Sequence, residues 1–352
     1  MALLNFALYA AIATLTFYLL IVGKALLLPF VVAIVFWYLI ATLARIYARV
    51  GTWGVRLPSW LATVFAVLTF VAVLSAFIDL TRENISQVVA VAPTYQANLE
   101  GLAERLVTLT GYHIPTLDQL MSQVDLGNMA GSVASSLTAF AGNVGIILVY
   151  VVFLLFEQKS FSGKLDAIIT DPARRERVRR TMLRINSDVR TYIWVKTILS
   201  LATGGISYVV MRIVGLDFAE FWAIVIFLLN YIPTIGSILG IVFPTLIALV
   251  QFPEDLTPFL VVLICLGTTQ VVTGNVVEPR MMGRSLNLSP LVIILSLAVW
   301  GTIWGVIGMF LSVPITVIAM IVMAQFSVTR PLAIMLSSDG IVSGDPEAEE
   351  TI

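Results

Sequence analysis

Charge is what this sequence has least of. Asp, Glu, Lys and Arg make up 12% of its 352 residues, against roughly 25% in soluble domains. So little charge cannot clothe the surface of a water-soluble globule. The net charge is −1, so there is no basic field of the kind nucleic acid requires. The sequence holds one histidine, His113, and one cysteine, Cys265. The lone cysteine excludes an intrachain disulfide, and the lone histidine is a poor metal ligand or catalyst. Enzyme motifs are missing too: His-Glu-x-x-His, a phosphate loop ending in Gly-Lys-Ser/Thr, and Gly-x-Ser-x-Gly do not occur. Gly344-Asp345 stands in a polar tail outside any apolar run, which gives an intramembrane aspartyl protease no support. The sequence therefore predicts no enzyme, no catalytic residue, no resident metal, no cofactor and no nucleic-acid partner.

What is abundant is apolar sequence, 59% of the residues. It falls into runs long enough to cross a bilayer core, which takes about 20 helical residues. These runs predict an all-α polytopic membrane protein whose medium is the lipid bilayer. Six runs read as full spans: Ala2–Val22, Ala25–Ala44, Ser59–Ile78, Gly142–Phe156, Tyr192–Val214 and Phe259–Val277. The first is not expected to be a cleaved leader, because no basic residue precedes it and a second run follows Gly23-Lys24 directly.

Charge between the runs sets the predicted orientation. Arg45, Arg49 and Arg56 follow the second run. The stretch from Lys159 to Lys196 carries ten of the 20 basic residues. By the positive-inside rule both belong to the cytoplasm, and the N-terminus with them. A basic helix is expected to start there at Asp171-Pro172, an N-cap followed by proline at the first helical position. Residues 79–140 differ in kind: Asp79, Glu83, Glu100, Glu104, Asp118 and Asp125 outnumber Arg82 and Arg105. Leu99, Leu102, Leu106 and Leu109, then Leu117, Leu120, Met121 and Val124, recur at helical spacing. This predicts short amphipathic helices on the outer face, punctuated by Pro93, Gly111 and Pro115.

Two apolar runs are too long, and too interrupted, for a single span. Phe221–Phe252 carries Asn230, Pro233, Thr234, Gly236 and Ser237 at its centre. Pro290–Phe326 is broken around Trp300-Gly301-Thr302 and Trp304-Gly305. Reading each as a re-entrant hairpin places Glu254 and Asp255 outside and Arg280 and Arg284 inside, in keeping with the charge rule. The predicted architecture is thus six full spans and two re-entrant helical hairpins in an inverted repeat, with amphipathic helices on the outer side. It divides into N-terminal spans (1–78), an outer region (79–140), a span with a basic cytoplasmic segment (141–191), a transport region of two span-plus-hairpin repeats (192–327) and an acidic tail (328–352). Both termini are expected in the cytoplasm.

Asn230-Tyr231-Ile232-Pro233-Thr234-Ile235-Gly236-Ser237 resembles the Asn/Asp-φ-Ile-Pro-x-φ-Gly signature of the autoinducer-2 exporter family. Val276-Val277-Glu278-Pro279-Arg280-Met281-Met282-Gly283 resembles its second motif. Leu286-Asn287-Leu288-Ser289-Pro290 and Gly305–Pro314 resemble the third and fourth, and Leu26-Leu27-Leu28-Pro29-Phe30 also fits. The resemblance implies a bacterial inner-membrane protein assembled as a homo-oligomer, with a pentamer as the expected form. It implies export of a small polar substrate such as the autoinducer-2 signal, or sodium or lithium/proton antiport, and does not choose between them.

Polar groups in a membrane interior are candidates for the passage, because an unpaired one is costly there. The candidate substrate pathway is Asn230, Pro233, Thr234, Gly236 and Ser237 at the first hairpin, with Gln270, Thr273 and Asn275 between the repeats. Glu278, Pro279 and Arg280 are the candidate gate or coupling group. The competing reading is that these residues only close turns and join helices. Lys196 and Arg212 are expected to reach outward from the ends of their span. No carboxylate falls inside a predicted span, since Asp79, Glu157, Asp217, Glu220 and Glu278 stand at segment ends. That weakens proton antiport without excluding it, since Glu278 could face a water-filled vestibule. A non-transporting oligomeric scaffold built on residues 79–140 is the alternative of another class.

Overall fold

The structure, a computed structural model, describes residues 2–49, 57–110, 126–283 and 287–342. Among these there is no strand beyond a single bridge between Leu288 and Ser337. The chain order is α1 (Ala2–Val22), α2 (Lys24–Arg49), α3 (Ser59–Thr110), α4 (Leu126–Ile168), α5 (Pro172–Val214), α6 (Ala219–Leu229), α7 (Ile235–Gln251) and α8 (Thr257–Val272). A π-helical turn (Thr273–Val277) leads into α9 (Glu278–Met282), followed by α10 (Pro290–Ala324) and α11 (Arg330–Leu336). Among the described residues, five stretches are long and apolar enough to cross a membrane: Lys24–Arg49, Ser59–Asn84, Pro172–Val214, Thr257–Met282 and Pro290–Ala324. Four of the predicted spans fall on the first four of these. The first and fourth predicted spans fall on the shorter apolar stretches Ala10–Val22 and Gly142–Gln158.

The chain forms two compact units. One comprises Met1–Leu43, Gly145–Val195 and Met282–Ile352. Its largest element, α10, is two helical arms that meet at a kink. Gly305 has φ 66° and ψ −145°, a conformation open essentially to glycine alone. Sixteen residues of straight helix would span about 24 Å, yet Trp300 Nε1 donates to Thr316 Oγ1 at 3.3 Å. A Cβ on Gly308 would fall 1.9 Å from the Trp300 carbonyl oxygen. Pro290–Ala324 is therefore a helical hairpin, and only glycine fits where its arms meet. Trp304 ties it to α1 by donating to the Leu20 carbonyl at 3.0 Å. In the same unit Asp171 caps α5, accepting from the Ala173 and Arg174 amides at 3.2 and 3.3 Å. The predicted N-cap is where the Asp-Pro pair placed it.

The second unit comprises Ala44–Val144 and Lys196–Met281. Here α6 and α7 form the first hairpin: Trp222 stacks on Phe243 with ring centroids 5.8 Å apart. Met211, Leu216, Ala219, Ile226, Ala248, Val262 and Leu266 make its apolar core, joining α5, α6, α7 and α8. The segment that follows Ile78 differs from expectation. Pro93 does not punctuate it, and α3 runs unbroken from Ser59 to Thr110. A proline removes one helical hydrogen bond, and here bonds beside it hold the rod: Tyr95 donates to Asp217 Oδ2 at 2.7 Å, and Asn98 Nδ2 to the Val250 carbonyl at 3.0 Å. Burial first, then the Asp217 carboxylate, push the Tyr95 phenol above its ordinary pKa, so it stays a donor at any physiological pH. The C-terminal half of α3 thus braces the open end of the hairpin. Gly111, His113, Pro115, Leu117, Leu120, Met121 and Val124 lie outside the described residues, as do Arg56 and Arg284.

Candidate functional site

The site begins with a helix that cannot continue. Pro233 has no N–H for the Leu229 carbonyl, so α6 stops at Leu229. The Ile232 amide takes that carbonyl instead, at 2.8 Å. Thr234 then adopts φ 62° and ψ −59° while the Ile235 amide donates to the Pro233 carbonyl at 2.6 Å. This is a γ-turn of the rare, strained hand. It is the more unusual for centring on a β-branched residue. The chain turns so tightly that a Cβ on Gly236 would lie 1.7 Å from the Leu229 oxygen. α7 starts inside this turn, at Ile235.

One turn before the break, three elements meet at a single ammonium group. Lys196 Nζ, from α5, donates to the Asn230 carbonyl at 3.2 Å and pairs with Glu278 Oε1 at 2.6 Å. Lys196 is 3% exposed. Asn230 Nδ2 donates to Ser200 Oγ at 3.2 Å, and the Thr197 and Tyr231 hydroxyls lie 2.7 Å apart. One turn of α5 therefore holds the break from two sides, and Glu278 completes the ion pair. Lys196 is buried and Glu278 half-buried, and a charge taken out of water costs several kcal/mol to desolvate unless a partner and added hydrogen bonds hold it.

The π-helical turn explains how Glu278 reaches Lys196. Glu278 follows Gln270 by eight residues, which in a regular helix would set it about 80° off the Gln270 face. Between them the Glu278 amide bonds to the Thr273 carbonyl, five residues back. A π turn absorbs one extra residue, so Glu278 returns to within about 20° of that face.

The structure gathers only part of the candidate set. Asn230 and Glu278 meet through Lys196, and Gln270 is buried beside Gly240, where a Cβ would come 3.2 Å from its Nε2. Thr273 bonds its own helix, at the Thr269 and Gln270 carbonyls. Pro233 and Ser237 are half-buried, Gly236 is buried in the turn, and Thr234, Asn275, Pro279 and Arg280 are exposed. Among the described residues no three His, Cys, Asp or Glu side chains gather as a metal site would require.

Lys196 corrects the expectation that it reaches outward to the headgroups. It turns inward, because Glu278 and a freed carbonyl offer more than distant water. The signal was in the spacing: Lys196, Ser200, Thr203 and Ser207 stand at i, i+4, i+7 and i+11, one polar stripe along an apolar span. Arg212 does face outward, exposed and 3.8 Å from Glu220. Gly204 is a close-packing position, where a Cβ would meet the Ala223 carbonyl at 2.9 Å.

Membrane-length apolar helices, a broken hairpin and a buried ion pair at the break are the make-up of a membrane transport protein. The chain belongs to the AI-2E transporter family, whose model matches residues 7–327. Among its relatives, the AI-2 transport protein TqsA of Escherichia coli (strain K12) is 30% identical over 320 residues, 89% of each chain. The "Putative transport protein YhhT" of the same strain is 31% identical over 291 residues, 80% of each. A relative named "Putative transport protein" from Borreliella burgdorferi is 30% identical over 237 residues, 67% of this chain and 62% of that protein. Family and helices together make this a bacterial membrane protein.

Proposed function

We propose that this chain exports a small polar metabolite or signalling molecule of the autoinducer-2 kind across the bacterial inner membrane. Movement of re-entrant hairpins would open the path to each side in turn. The family supports the reading, and so does the name of TqsA at 30% identity. The observation that carries it is the Lys196 ammonium shared between Glu278 and the Asn230 carbonyl. A lysine so held joins the hairpin break to α5 and α9, and releasing it frees the break to move. Asn230 offers an amide, and Ser200 a hydroxyl, that a substrate hydroxyl can engage in place of their mutual bond. The assembly is read as a homo-oligomer, a pentamer, with both termini cytoplasmic.

Sodium or lithium/proton antiport is the second reading, and Glu278 favours it. The sequence placed no carboxylate inside a span, yet Glu278 lies within the membrane-length stretch Thr257–Met282, its side chain 23% exposed. A carboxylate there is a natural coupling group. Purified protein in liposomes separates the readings. Export predicts flux of labelled autoinducer-2 without a sodium gradient; antiport predicts a sodium-driven pH change and no such flux. A scaffold gives neither.

A further inference from the structure

We infer that the hydroxyls of Thr203, Ser207 and Thr245, with the carboxamide of Gln270, form a binding site for a small neutral molecule rich in hydroxyl groups. The inference rests on the transport reading and assigns it a ligand class and residues beyond the hairpin break. Thr203 is 0% exposed, Ser207 1%, Thr245 5% and Gln270 4%. Among the described residues, Thr203 Oγ1, Ser207 Oγ, Thr245 Oγ1 and both amide atoms of Gln270 have no hydrogen-bond partner. Native interiors keep few such groups, because each forfeits its bond to water.

The helix offers these hydroxyls an easy remedy that they do not take. A serine or threonine in a helix ordinarily bonds back to a carbonyl three or four residues earlier. Thr269, Thr273, Ser296, Ser312 and Thr316 all do so in this protein. Thr203, Ser207 and Thr245 instead keep their oxygens off their own backbone.

They also belong to one compact unit. Thr203 and Ser207 continue the α5 stripe whose earlier members, Lys196 and Ser200, hold the hairpin break. The next residue on that stripe, Met211, packs in the apolar core with Ile226, Ala248 and Leu266. On the opposing helix Gln270 stands between Leu266 and Glu278. It reaches toward Gly240, whose carbonyl loses its helical donor to Pro244. Thr245 follows Pro244 on α7. Along α5 and α8, Thr203, Ser207 and Gln270 thus fall between the members of the ion pair and those of the apolar core.

Their chemistry selects the ligand. Three hydroxyls and an amide both donate and accept, and none is ionised. The charges nearest in sequence, Lys196 and Glu278, neutralise each other. A metal cation would want carboxylates or a cage of oxygens, and an anion would want a cation. A polyhydroxylated neutral molecule matches both halves of the set.

The test uses the full-length protein in detergent and in liposomes, with xylitol and ribose as probes beside sodium and lithium chloride. Thr203→Val and Thr245→Val keep the shape and delete the hydroxyl. Each variant should melt at a higher temperature than wild type, because it sheds an unpaired buried group. Each should bind xylitol or ribose about tenfold more weakly, the loss of one polar contact. Wild-type protein that binds no neutral polyol, or binds only the salts, overturns the inference. So do variants that bind the probes like wild type. Binding lost in the variants while wild type carries no flux in liposomes keeps the site and rejects the transport reading.

Discussion

Lys196 is the residue on which the account most depends, and its role is open to a double-mutant cycle. Removing one member of a buried pair strands the other charge, which costs about 3–5 kcal/mol. Lys196→Met and Glu278→Gln should therefore each lower the thermal midpoint sharply. The double variant should recover most of the loss, since no uncompensated charge is left. Additive losses in calorimetry would mean that the 2.6 Å contact contributes little. This pair also marks a limit of sequence reading. Asn230 and Glu278 were legible as polar groups in apolar surroundings, but their meeting point was not. Lys196 stands near the start of a predicted span, where a lysine ordinarily reaches for the headgroups. Only the fold shows that a freed carbonyl and a carboxylate lie closer. The π-helical turn that aims Glu278 is equally invisible in Thr-Gly-Asn-Val-Val, a string with no breaker but one glycine.

The first hairpin was predictable as an element because its breakers are unambiguous: proline without an N–H, then a glycine where no side chain fits. Both hairpins were expected from their length and their interruptions, and both fold back on themselves in the structure. The strain at Thr234 was not expected, because nothing in Pro-Thr-Ile announces a positive φ. A strained backbone of this kind stores about 1–3 kcal/mol, and glycine would relieve it. Thr234→Gly should raise or leave unchanged the melting temperature despite glycine's greater unfolded freedom. A large drop would show that the threonine side chain itself holds the turn. Gly236→Ala should fail in the opposite sense, since its methyl would overlap the Leu229 carbonyl. Misfolding or loss of the hairpin is expected by hydrogen exchange at α7. Pro233→Ala tests movement: a well-folded variant that transports normally would count heavily against a gate that works by breaking this helix. The unbroken α3 was illegible for a related reason. Pro93 reads as punctuation on its own, and the bonds from Tyr95 and Asn98 that carry the helix past it are tertiary.

The topology proposed for the full chain has a direct chemical readout. Single cysteines at Gln96 and Glu254 should react with a membrane-impermeant thiol reagent from outside, and those at Arg177 and Arg284 only from inside, on a background lacking Cys265. External labelling at position 284 would remove the inverted arrangement of the two hairpins. The charge rule supplied this orientation from a handful of arginines, whereas the compact units and their cores come from packing that no charge count contains. The central claim is that the polar hairpin break is a passage for a small polar molecule, and one measurement addresses it most directly. Flux of labelled autoinducer-2 is followed in liposomes holding equal amounts of folded wild type and Asn230→Ala. The account predicts wild-type flux, and a fall of about tenfold or more in a variant of near-normal thermal stability, the equivalent of one lost polar contact of about 1.4 kcal/mol. Absence of wild-type flux, or a variant whose flux falls only in proportion to its folded fraction, would contradict it.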